Sequence, residues 1–259
     1  MTRRFQILNM VALVVTIGIN YLSNTGIFNN ETMATISAKF QNFFTPAGYA
    51  FSIWGLIYLG LLGFVIYFGP LTKNTDVKEK TILNVGWWFV ISCIANSLWV
   101  LTWLYEYIFL TIPIMILLFI SLLKIIGNNL LIIESKDFKT AFFFRLPFYI
   151  YSGWISVALI ADVAAYLKKI QWSGFGISEA SWTVVMFAVA TIIHLYMVWK
   201  LNMTAFALVA VWALIAIAVA NQDSNQTVYI AAIITAIFIF VNVCFQMLKK
   251  EPCSKSWCF

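Results

Sequence analysis

The chain has almost no charge to present to water: only 10% of its 259 residues are Asp, Glu, Lys or Arg, against 63% that are hydrophobic. A soluble domain of this length would have to cover its surface with polar side chains that it does not possess, so that class is excluded. Histidine is scarcer still. The single His194 cannot supply bis-histidine haem ligation, and no His/Cys/carboxylate cluster has the spacing of a metal centre. A packing or helix-contact role is expected for it. The four cysteines, Cys93, Cys244, Cys253 and Cys258, contain no CxxC and no evident pair, which argues against a disulfide framework or a zinc site. Gly-rich phosphate loops and nucleophile motifs are missing too. No catalytic residue and no required cofactor are therefore expected.

What is present is apolar chain, in eight runs at about residues 5–23, 48–68, 84–104, 107–131, 142–166, 180–199, 201–220 and 227–248. Each approaches the roughly 20 residues that a helix rising about 1.5 Å per residue needs to cross about 30 Å of hydrocarbon. Mean hydropathy, +0.91, agrees. The expected fold is all-α, a polytopic integral membrane bundle of about eight transmembrane helices. Retinal proteins have a similar helix count, but spans six to eight contain no lysine for a Schiff base. The first run, behind Arg3 and Arg4, also begins as a signal peptide begins. Its end, Asn20-Tyr21-Leu22-Ser23-Asn24, is a poor cleavage site, so a retained helix is expected.

The net charge of +6 might be read as a nucleic-acid footprint, but the placement of the basic residues points to lipid headgroups. Arg3 and Arg4, then Lys73, Lys78 and Lys80, then Lys124, Lys136, Lys139 and Arg145, then Lys200, and finally Lys249, Lys250 and Lys255 all fall on one side of the membrane. Only Lys39, Lys168 and Lys169 fall on the other. The positive-inside rule puts both termini in the cytoplasm. The one long connection, Asn24 to Ala47, then lies outside, where a lid is expected.

Three spans carry aromatic or polar stripes at helical spacing: Phe51, Trp54 and Tyr58; Asn96, Trp99 and Trp103; and Tyr151, Trp154, Ala158 and Asp162. By the orientation above, Trp54, Asn96, Trp99, Ala158 and Asp162 lie within roughly 6–12 Å of the outer boundary and can share one layer. Flat aromatics, an amide, a small residue and one carboxyl group suit a flat, largely apolar ligand with a few polar edges. Lys124 and Arg145 lie near span ends, where they can snorkel to the headgroups. Asp162 is the ionisable side chain that needs an explanation. The rival reading is plain: Trp54 and Trp99 serve as packing or interfacial belt, as do Trp87, Trp88, Trp172, Trp182 and Trp199, while Asp162 reaches water at its helix end.

The segment Phe44-Thr45-Pro46-Ala47-Gly48-Tyr49-Ala50-Phe51-Ser52-Ile53-Trp54-Gly55-Leu56-Ile57-Tyr58 resembles the signature of the translocator protein family, also called TspO, peripheral benzodiazepine receptor or tryptophan-rich sensory protein. Pro46, Trp54 and Tyr58 match that family's second proline, final tryptophan and tyrosine. Thr45 and Ser52 replace two prolines, and Gly48 or Tyr49 stands for the first tryptophan. Asn96-Ser97-Leu98-Trp99 resembles the family's Asn-x-x-Trp in the third helix. Trp154-Ile155-Ser156-Val157-Ala158 resembles its fifth-helix motif, with Asp162 where an Asn is usual. The wording of the first segment is closer still to the longer, TspO-related forms.

These motifs fall within about residues 5–167. The expected division is a five-helix TspO-like domain over 1–167, followed by three additional helices and a short cytoplasmic tail over 168–259. The resemblance implies a pocket covered by the first loop that takes a porphyrin or haem-like ligand, for sensing or transport. Trp54, Asn96, Trp99, Trp154 and Ala158 would line it, with Pro46, Tyr49, Phe51, Tyr58, Trp103, Tyr151 and Asp162 completing the candidate set. The alternatives are a porphyrin-modifying enzyme and a scaffold or subunit that docks a partner on helices six to eight. Expected partners are the lipid bilayer, a small hydrophobic ligand, and a second copy or another membrane protein, with no nucleic acid. The expected location is a bacterial cytoplasmic membrane.

Overall fold

The computed structural model describes residues 1–73, 75–130 and 138–249. Lys136, Lys250, Cys253, Lys255 and Cys258 lie outside the described residues. Within the described residues the chain is all-helical: α1 (Thr2–Leu22), α2 (Met33–Lys39), α3 (Ile53–Tyr67), α4 (Asp76–Val85), α5 (Trp88–Leu104), α6 (Ile108–Gly127), α7 (Leu146–Lys169), α8 (Glu179–Leu201), α9 (Thr204–Asn221) and α10 (Gln226–Leu248). A 3-10 turn at Gly48–Ser52 leads into α3, and a π-helical turn at Ala141–Arg145 leads into α7. Seven helices are long and apolar enough to cross a membrane, or eight if α4 and α5 are one broken span.

The third expected span is the one that differs. It is not straight from residue 84; α4 and α5 meet at 47°. The cause is local: Gly86 has φ 49°, a left-handed value that glycine tolerates best, and its N–H still closes on Ile82 O at 3.0 Å. Upstream of it, Asp76, Lys78, Glu79 and Lys80 make the first turns of α4 polar, in contrast to the apolar α5. The fifth span runs on to Lys169 rather than stopping near residue 166.

The chain divides into two compact units, the first comprising Met1–Gln41 with Ser52–Ile170, the second Asn42–Phe51 with the chain from Gln171 onward. In the first unit α1 is inverted relative to a soluble amphipathic helix. Its buried face carries Thr2, Gln6, Asn9, Leu13 and Thr16, while Ile7, Val11, Val14 and Val15 are exposed. That is the arrangement lipid favours, because the polar side chains find partners inside the bundle. Gln6 Nε2 donates to Phe68 O (2.8 Å), Thr16 Oγ1 to Cys93 O (3.2 Å), and Asn20 Nδ2 to Asn96 Oδ1 (2.8 Å). The helix is thereby tied into the bundle.

Close approach of α3 and α7 depends on two glycines. A Cβ at Gly60 would meet Pro147 Cβ at 3.1 Å, and one at Gly63 would meet Phe143 Cδ1 at 3.1 Å. Small residues let membrane helices approach where hydrophobic force between them is absent. Beside this contact Phe64, Phe68, Phe89, Phe144 and Phe148 form a fully buried aromatic core. The same contact brings the tryptophans of α3 and α7 into register.

The second unit is packed differently. Asn202, in the left-handed region at φ 55°, makes the tight turn from α8 to α9. The interior is built from small residues of α9, Ala207, Ala210, Ala213, Ala216 and Ala218, with Ala232 and Ala236 of α10, all buried. His194 is fully buried there. Its Nδ1 lies 2.7 Å from Ala190 O and its ring lies 4.8 Å from that of Phe206. This is the packing role expected of it.

The long Asn24–Ala47 connection is structured. Thr32 and Thr35 form a reciprocal capping box at the start of α2, and Ile36 is buried. Asn29 Nδ2 donates to Leu104 O (3.0 Å), and the Lys39 ammonium pairs with the Glu106 carboxylate. From Asn42 the segment belongs to the second unit. There Ala47 N–H donates to Ala216 O (3.0 Å), Asn221 Nδ2 to Phe43 O (3.0 Å), and Phe43 N–H to Glu179 Oε1 (3.2 Å).

Candidate functional site

Eight of the candidate residues gather in the first unit, in two tiers. The lower tier joins α3, α5 and α7. Trp54 stacks on Tyr58 one helical turn away (centroids 5.6 Å, planes 22° apart) and meets Tyr151 and Trp154 edge-on at 5.8 and 6.4 Å. Asn96, fully buried, accepts from Asn20 and donates through Nδ2 to Tyr151 Oη at 3.0 Å. The amide is therefore held in one orientation by a helix on either side. Tyr58 Oη is buried without a hydrogen-bond partner, although it lies close enough to Asn96 to feel its amide.

The upper tier joins α5, α6 and α7. Trp99 and Trp103, both buried, stack at 5.7 Å with planes 22° apart, and Phe40, at the end of α2, packs edge-on against Trp103 at 6.5 Å. Asp162 is 2% exposed, so it does not reach water at its helix end. Thr111 Oγ1 donates to Asp162 Oδ1 at 2.9 Å. Trp99 Nε1 approaches the carboxyl, yet neither it nor Oδ2 attains a complete hydrogen bond. Trp103 Nε1 is likewise buried and unbonded. Trp154 and Asp162 are separated along α7 by about 12 Å of helix rise.

Ala158 lies on α7 between the tiers and is half-buried. The remaining three candidates fall in the second unit. Pro46 is half-buried beside the Ala47–Ala216 hydrogen bond; Tyr49, 43% exposed, packs edge-on against Trp212 at 5.2 Å; and Phe51 is half-buried in the turn before α3. Trp212 also donates from Nε1 to Ala50 O at 3.3 Å. Of the tryptophans assigned to the interface, Trp87 and Trp199 are exposed. Trp199 sits beneath the Lys249 ammonium, 4.9 Å from its ring centroid. Cys93 and Cys244 are free thiols, and no His/Cys/carboxylate group among the described residues could hold a metal ion.

Sequence reasoning missed three contributors: Asn20, Thr111 and Phe40. Asn20 had a signal, because Thr2, Gln6, Asn9, Thr16, Asn20 and Ser23 recur at intervals of three, four or seven residues, which keep to one face of a helix. Thr111 and Phe40 had none, since both are defined by contacts distant in sequence.

The helices and their apolar exterior define an integral membrane bundle. Its family is settled by comparison: the model of the TSPO-like protein family matches residues 6–245. The chain belongs to that family. The match runs through α8 and α9 and into α10, well past the residues 5–167 that carry the motifs, so the last three helices are part of the family pattern. No curated protein and no solved structure matches the chain.

Proposed function

We propose that the first unit binds a flat hydrophobic ligand, of porphyrin or tetrapyrrole type, between α3, α5 and α7. The observation that carries this reading is the state of the buried polar atoms. Tyr58 Oη, Trp99 Nε1, Trp103 Nε1 and Asp162 Oδ2 are all buried without hydrogen bonds, and all lie on or beside aromatic faces. Each such group costs about 1–3 kcal/mol when left unsatisfied, and a concentration of them in one aromatic region fits a binding site better than a packed core. Sensing or transport is the use this supports. A porphyrin-modifying enzyme is less well supported, because Asp162 is the only acidic side chain in either tier and has no acid/base companion. The distribution of basic residues supports an orientation with both termini cytoplasmic and the α2 segment outside.

The test is a titration of purified protein with protoporphyrin, followed by tryptophan fluorescence. Trp54→Ala and Trp99→Ala are each expected to weaken binding about 2- to 12-fold, the equivalent of about 0.5–1.5 kcal/mol of stacking. Trp87→Ala, on the exposed surface, should leave the curve unchanged. Unaltered curves in both site variants would remove this region from the account. Flux in liposomes, or ligand breakdown under light and oxygen, would then separate transport from turnover; binding with neither would favour a sensor.

A further inference from the structure

Resting on the reading that this aromatic region binds a flat ligand, we propose that it selects ligands carrying a positive charge, with the Asp162 carboxylate as their counter-ion. The argument starts from what surrounds that carboxylate. It sits in a membrane span at 2% exposure and accepts one hydrogen bond, from Thr111, on Oδ1. Its other oxygen is buried and unbonded. A charge in such a place is ordinarily paired with an opposite charge, because hydrocarbon and protein interior cannot replace its hydration.

No described side chain supplies that charge. The ion pair of Lys39 with Glu106 lies outside the spans. Of the helices around this tier, α5 contains no basic residue; the one in α6, Lys124, occupies its last turn while Thr111 occupies its first; and Lys39, in the last turn of α2, is paired with Glu106. On α7 itself, Lys168 and Lys169 stand in the last turn, six and seven residues beyond Asp162, and Lys169 donates to the backbone carbonyl of Glu106. The rest of the region is the stacked indole pair Trp99 and Trp103, whose faces attract cations and offer nothing to anions. A carboxylate with no charged partner and a stacked indole pair make a receptor for a flat cation; the Lys169 ammonium stands at the Phe40 edge of the region, 5.7 Å from that ring, with its hydrogen bond given to the Glu106 carbonyl. A carboxylate placed beside Asp162 would be opposed by its charge, so a porphyrin bound here would keep its propionates away from that end of the region.

Three flat probes of one outline test this on the purified full chain at neutral pH: 9-aminoacridine as the cation, anthracene-9-methanol as the neutral form and anthracene-9-carboxylate as the anion. Binding is read as the quenching component that Trp99→Ala abolishes, which excludes simple partition into detergent or lipid. The cation is expected to bind at least about tenfold more tightly than the anion. Asp162→Asn, which keeps the shape and removes the charge, should weaken the cation by about tenfold and bring the three probes together. Should that variant fail to fold, the order of the probes on the wild-type chain decides the matter alone. An anion bound as tightly as the cation, or a cation preference that survives Asp162→Asn, would overturn the proposal while leaving the flat-ligand site in place. Absence of a Trp99-dependent signal with every probe, and with protoporphyrin, would overturn the site itself.

Discussion

The two units solve the problem of packing in lipid by opposite means. In the second, Ala207, Ala210, Ala213 and Ala216 on α9, with Ala232 and Ala236 on α10, let backbones come close, and the buried polar side chains Asn221 and His194 have partners. In the first, the interior holds Gln6, Asn9, Asn96, Thr111 and Asp162 among aromatics. There the buried polar groups Asn9, Tyr58, Trp99, Trp103, Asn129 and Asp162 are incompletely bonded. A bilayer offers no water to relieve such groups. An interior of the second kind is complete as it stands; one of the first kind keeps unsatisfied groups that a ligand can complete. On the reading proposed above, a ligand completes the interior of the first unit, while the second packs without one.

The strongest test of that contrast compares Asn96→Ala with Ala213→Leu. Removing the Asn96 amide strands Tyr151 Oη in the interior and leaves Asn20 Nδ2 with Thr16 O alone, and should cost about 1–3 kcal/mol of stability as well as weakening porphyrin binding. Adding volume at Ala213 should cost about 1–3 kcal/mol by overpacking, yet leave affinity unchanged in the fraction that remains folded. Both are measured by unfolding in detergent alongside a binding titration. Loss of affinity in Ala213→Leu equal to that in Asn96→Ala would erase the functional distinction between the units.

How much of this was legible in the sequence depends on the range of the interaction concerned. Span number and position follow from apolar length, a local property, and the spans were placed within a few residues of α1, α3 and α5 to α10. The bend at Gly86 was missed, because Trp87 and Trp88 extend the apolar run while the charges that pull α4 away lie upstream of it. The stripes on α3, α5 and α7 were legible from spacing, and their convergence from motif resemblance and depth. That Asp162 is sealed from water was not legible, since its burial depends on Thr111 and Trp99 on two other helices. Nor was the division of the Asn24–Ala47 segment between the two units, which rests on pairings such as Lys39 with Glu106 and Phe43 with Asn221 across long stretches of chain.

A smaller effect is expected at the Lys39–Glu106 pair, which holds α2 to the turn between α5 and α6. The hydrogen bond to the Glu106 carboxylate raises the Lys39 pKa above the usual lysine value of 10.5. The contribution is therefore complete below about pH 10.5 and is lost as pH climbs past the raised value. Because the pair is exposed, salt should screen it. Lys39→Ala is expected to speed proteolysis within the Asn24–Gln41 stretch a few-fold at low salt and by less at high salt. Equal cleavage rates in variant and wild type at both salt concentrations would mean that buried Ile36 and Phe40 hold this segment without help from the ion pair.

The smallest change, and the one most specific to the contrast between the units, is expected at Asn9. It lies 1% exposed on α1, with both amide atoms unbonded, between Gln6 and Thr16, which are bonded. If the first unit's polar interior were purely structural, Asn9 would contribute like its neighbours, and Asn9→Leu would lose stability by the mean of about 0.6 kcal/mol seen for hydrogen bonds between membrane helices. With no bond to lose, the substitution instead removes a desolvated amide and fills a similar volume with methyl groups. Stability in detergent should then hold or rise, by up to about 1 kcal/mol. Gln6→Leu, which strands Phe68 O, should fall by about the amount that Asn9→Leu does not. A clear loss in Asn9→Leu matching that in Gln6→Leu would show that the Asn9 amide is satisfied in the folded protein. The seam along α1 would then belong with the completed packing of the second unit rather than with the unsatisfied layer beside it.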